Sequence, residues 1–130
     1  MAQRNAASQS LHDQVISIAA ANLGSYSVYT NPGQQQNAYI GNSYPDIILA
    51  NRATGIIEFI IEVETRDSIT AHEAISQWRT YMGLPGTFYL MVPFDMRAQA
   101  SFLCGQYGIL AKFATYQIDA LNRVQINYEQ

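Results

Sequence analysis

The chain of 130 residues is 48% hydrophobic and 13% charged, a composition that suits a globular domain with its own core. Its net charge of −3 argues against an extended electrostatic grip on nucleic acid, which needs clustered Lys and Arg. No apolar run approaches the ~20 residues that cross a bilayer.

Residues 1–9 read as a flexible N-terminus and 10–130 as a single domain. Ser10 is placed to cap a first helix carrying Leu11, Val15, Ile18 and Ala19, with Asp13 in its first turn and Gly24 at its end. Ser25 to Thr30 alternates and predicts a strand. The turn Asn31-Pro32-Gly33 and a polar loop lead to Pro45. Residues 44–49 and 58–65, rich in Ile, Leu and Val, flank a polar segment holding Gly55, the pattern of an antiparallel hairpin. Thr70 and Glu73 match a capping box, opening a helix with Ala74, Ile75, Trp78 and Met82 that stops by Gly83. Residues 87–92 form a near-continuous apolar run, the mark of a strand buried on both faces. Asp95 is placed to cap a third helix with Ala100, Leu103 and Tyr107 on one side and Gly108 at its end. The single Cys104 packs there as a small hydrophobe and suits a reducing compartment. Strands near 110–118 and 124–128 complete an order α-β-β-β-α-β-α-β-β. That order predicts an α/β fold, a mixed β-sheet flanked by helices on both faces.

Strand side chains alternate, so Glu62 and Glu64 share one face and Val63 takes the other. With the hairpin turn near Thr54, Asp46 lies directly across from Glu62, and three carboxylates converge among apolar strands. Like charges ~4 Å apart repel by about 4 kcal/mol at an effective dielectric near 20. A protonated carboxyl, a face open to water, or a hard divalent cation relieves this, and Mg²⁺ takes carboxylate oxygens readily. The plain alternative is the solvated charged side of a two-stranded ribbon.

Pro45-Asp46, a hairpin and then Glu62-Val63-Glu64 resemble the core of the PD-(D/E)XK nuclease superfamily. Gln77 and Tyr81 have the spacing of the QxxxY motif that follows the acidic strand in RecB-type members, and the element order matches over residues 10–95. The resemblance implies a restriction-endonuclease-like fold and a Mg²⁺-dependent (or Mn²⁺-dependent) nuclease, with DNA ranked ahead of RNA as the nucleic-acid partner. Asp46 and Glu62 would hold the ion, with the main-chain carbonyl of Val63 as a further ligand. Glu64 stands at the family's Lys position, which some restriction-enzyme members also fill with Glu. It would take a proton from the attacking water or bind a second metal. Gln77 would position the water or the scissile phosphate.

His12 lies on the first helix, where RecB-type proteins supply a His or acidic ligand; the alternative is an ordinary surface histidine. Arg66, Arg79 and Tyr81 are candidates for phosphate contacts. Arg66 could instead pair with Asp67 or Glu64, and Tyr81 could pack in the core, as Trp78 is read to do. The competing reading is a catalytically inactive nuclease-fold module that binds a protein or nucleic-acid partner, favoured by the missing lysine and the acidic balance. Small size and apolar content admit a homodimer. The first nine residues lack the apolar core of a signal peptide, so the expected location is cytoplasmic, with no membrane.

Overall fold

In the computed structural model, which describes residues 4–33 and 35–129, six strands pair side by side in chain order. They are β1 (Ser27–Thr30), β2 (Ile47–Ala50), β3 (Ile57–Val63), β4 (Thr87–Pro93), β5 (Lys112–Ile118) and β6 (Val124–Tyr128). β1, β2 and β3 form an antiparallel meander, β3, β4 and β5 run parallel, and β6 returns antiparallel. Each parallel step needs a crossover. The first is a helical rod built from α2 (Ala71–Glu73), a π-helical turn (Ala74–Trp78) and α3 (Arg79–Met82); the second is α4 (Arg97–Tyr107).

Both crossovers cover one face, where Ile60, Leu90 and Val92 of the sheet meet Trp78, Ala100 and Leu103. On the other face α1 (Ala6–Ala21) lays Val15, Ile16 and Ala19 against Ile47, Leu49, Ile61 and Met91. The mixed sheet with helices on both faces is therefore as expected. The apolar run of β4 serves both cores, its alternate side chains pointing to opposite sides. Among the described residues, no helix is long and apolar enough to cross a membrane.

Three boundaries differ from expectation. Asn5, not Ser10, caps α1, its side chain accepting from Ser8 N at 2.8 Å. Asn and Ser cap equally well, and Ala6-Ala7 propagate the helix, so residues 6–9 are helical; residues 1–3 lie outside those described. Asp95 does not cap α4, which follows a 3-10 turn (Phe94–Met96) and has Met96 at its N-cap. Thr70 does cap α2, accepting from Glu73 N at 3.2 Å. Its own N–H donates to Ser68 O, so the Glu73 side chain has no cap to close.

Pairing in the hairpin runs Ile47 with Ile61, Ile48 with Ile60 and Leu49 with Phe59, and a bulge falls between Leu49 and Ala50. The irregularity sits beside the turn, so the open end keeps its register and brings Asp46 level with Glu62. Between β1 and β2 the loop is tied down by buried Asn31. Its Nδ2 donates to Ala38 O and Pro45 O, each at 2.7 Å, and its Oδ1 accepts from Asn37 N and Ala38 N.

Candidate active site

Asp46 precedes β2 and Glu62 lies near the end of β3. Asp46 N donates to Glu62 Oε1 at 3.1 Å, and Val63 N donates to Asp46 Oδ2 at 2.8 Å; Glu62 is thus held by the main chain of Asp46, and Asp46 by the main chain one residue past Glu62. His12 Nε2 is 3.0 Å from the same Asp46 oxygen, and its Nδ1 is 3.0 Å from Asp13 Oδ1. The Gln9 amide nitrogen lies 3.3 Å from Nδ1, and a carboxylate stands at either side of the ring. Burial works to lower its pKa, but the hydrogen bond and charge of Asp46 outweigh burial and raise it. The histidine belongs to the site, with its Nε2 facing Asp46.

Glu64 has no exposed surface. Its Oε1 accepts from Trp78 Nε1 at 3.1 Å, and its Oε2 accepts from the Ser68 hydroxyl and, at 3.5 Å, from Arg4 Nη2. Arg4 also donates to Val63 O at 3.2 Å and to Thr65 Oγ1 at 3.0 Å. Burial pushes the Glu64 carboxyl up to about 8, the Glu73 charge adds to this, and Ser68, Arg4 and Trp78 oppose it. The Glu64 side chain and the carbonyl of Val63 therefore share one guanidinium. Nothing in the polar N-terminal sequence signals this role for Arg4.

Glu73 is a second residue that sequence reasoning treated only as a cap. It is 4% exposed and its Oε2 has no hydrogen-bond partner. Burial raises its pKa, and its charge acts on Glu64. Tyr81 donates to Gln77 Oε1 at 3.3 Å, so the two motif residues do meet. Tyr81 also packs edge-on against Phe88. Burial, then the charges of Glu62 and Asp46, push its hydroxyl pKa up, which puts core packing and proximity to the acids in one residue. A cavity of about 290 Å³ adjoins, lined by Gln36, Asn42, Ser43, Tyr44, Gln77 and Tyr81 among others.

The two candidate arginines have other partners. Arg66 pairs with Asp95 at 2.5 Å, both side chains exposed, rather than with Asp67 or Glu64. Arg79 donates to Tyr107 O at 3.3 Å.

Among the described residues, no three His, Cys, Asp or Glu side chains stand as a preformed ion site. In donor type and charge the residues fit one. Asp46 and Glu62 offer the oxygens a hard cation takes, and Glu73 Oε2 is a buried acceptor without a partner. Burial, then the charges of Asp46 and Glu64, push the Glu62 carboxyl well above the ordinary carboxylate range. No family model, no curated protein and no solved structure matches this chain.

Proposed function

We propose that the chain is a nuclease of restriction-endonuclease-like fold that uses Mg²⁺ or Mn²⁺ to hydrolyse phosphodiester bonds, those of DNA ahead of RNA. One observation carries this reading. Asp46 N donates to Glu62 Oε1 and Asp46 Oδ2 accepts from Val63 N, which ties the two acids together at the open end of the hairpin, and the following crossover carries Gln77 and Tyr81.

Asp46 and Glu62 would hold the ion; when bound, it supplies Lewis acidity and lowers the pKa of a water ligand. The chain's own residues do the rest. His12 Nε2, 3.0 Å from Asp46 Oδ2, holds that oxygen in place. Tyr81 donates to Gln77 Oε1, which turns the Gln77 amide nitrogen outward as a donor to a phosphate oxygen or a water. Glu64, enclosed by Trp78, Ser68 and Arg4, positions the guanidinium at the end of β3. Asp46→Asn and Glu62→Gln are each expected to abolish Mg²⁺-dependent cleavage of plasmid and oligonucleotide substrates while circular dichroism and Trp78 fluorescence stay native. Cleavage retained in both variants would remove the assignment.

A second reading, a catalytically inactive nuclease-fold module, is favoured by Arg4. Its guanidinium already meets Val63 O and the Glu64 carboxylate, a built-in cation at the acidic group. Calorimetric titration separates the two: failure to bind Mg²⁺ or Mn²⁺ at millimolar concentration selects the inert module.

A further inference from the structure

We propose that the groove beside Gln77 and Tyr81 receives unpaired nucleobases, so that the substrate is single-stranded or locally opened nucleic acid and not intact duplex. This rests on the nuclease reading and narrows it. Non-specific affinity for nucleic acid ordinarily comes from Lys and Arg on phosphates, and this chain commits its arginines elsewhere. Arg4 is held at Glu64, while Arg66, Arg97 and Arg123 pair with Asp95, Glu129 and Asp119. Arg52 and Arg79 donate to the carbonyls of Gly24 and Tyr107. With exposed Lys112 the one lysine and a net charge of −3, affinity has to come chiefly from the bases.

The groove is built for that. Its lining side chains among the described residues are amides, hydroxyls and phenols, with no charged group. Gln36, Asn42 and Gln77 each carry a donor and an acceptor, the pairing that a base edge presents. Tyr39, 69% exposed, stands edge-on to Tyr44 with ring centroids 6.3 Å apart, which gives the rim an aromatic surface for stacking. Tyr81 belongs both to the groove and to the surroundings of Glu62 and Asp46, so a base held there brings its backbone to the acids. A base still stacked in a helix cannot enter a concave site of this kind, whereas an extruded or unpaired one can.

The test is fluorescence anisotropy with metal-free protein, using a labelled single-stranded oligonucleotide and the duplex of the same sequence over a range of NaCl concentrations. The single strand is expected to bind at least about tenfold more tightly, with a log–log salt slope no steeper than about −2, the equivalent of two or three phosphates. Tyr39→Ala and Tyr44→Ala should each weaken it by roughly tenfold to a hundredfold, and Tyr44→Phe should restore it. Tyr39 is exposed, so that variant keeps the test open should Tyr44→Ala misfold. Preference for duplex, a steep salt slope, wild-type affinity in the Tyr39 variant, or no binding of either form overturns the proposal. Cleavage of duplex unaffected by Tyr39→Ala overturns it alone and leaves the nuclease standing. Tight single-strand binding without Mg²⁺-dependent cleavage retires the nuclease and leaves the groove.

Discussion

Glu64 shows how one carboxyl group can set the pH response of a small protein. Its folded-state pKa of about 8 lies above the ordinary 4.5, so between those values the unfolded chain holds fewer protons than the folded one. Stability therefore falls as pH rises through that window and levels off above it, by something on the order of a few kcal/mol. Glu62 and Glu73, also raised, act in the same sense. So does His12, whose raised pKa gives stability that is complete below its unfolded value and lost through its folded one. Urea midpoints should decline from pH 5 to pH 8, and Glu64→Gln should decline less; an equal decline would show that Glu64 ionises freely. The opposition of Asp46 and Glu62 was legible in the sequence because strand alternation and a short hairpin are local facts. The enclosure of Glu64 was not, since Arg4, Ser68 and Trp78 approach it from separate segments. Glu73 was misassigned because Ser68 O, not the glutamate, satisfies Thr70 N.

Among the elements, the helical crossover is the least predictable from its residues. Apolar spacing announced a helix after Thr70, but the π-helical turn at Ala74–Trp78 has no compositional mark. It is one added residue per turn, a feature common at functional sites, and it lies between Glu73 and the Tyr81 end of the rod. Caps were legible as residue types and not as positions: Asn5 and Ser10 are both good caps, and the longer helix won. Gly86, between this crossover and β4, has φ of +97°, and a Cβ there would sit 3.0 Å from the main chain of Glu58. Gly86→Ala is accordingly expected to cost about 1–3 kcal/mol through backbone strain, lowering the thermal midpoint. An unchanged midpoint would mean that the start of β3 gives way freely.

For the molecule as a whole, the sheet is covered on both faces and its centre is the parallel trio β3, β4 and β5. Cooperative opening is resisted most where strands are paired on both sides and buried. Amides of Ile60 to Val63 and Leu90 to Val92 should exchange with deuterium only through global unfolding, while those of edge strands β1 and β6 exchange sooner. Slowest exchange at either edge would contradict this. That architecture was readable from the apolar run of β4, whereas the partners of the arginines depend on folded distances no motif encodes. The Asn31 clamp carries a last consequence, for timing. Its amide engages Asn37, Ala38 and Pro45, so the segment leading to Tyr44 and Asp46 takes its shape when the chain folds. For the proposed guest the mould is then finished beforehand: its capture would be limited by encounter and not by closure, and its residence time set by the contacts it must break to leave.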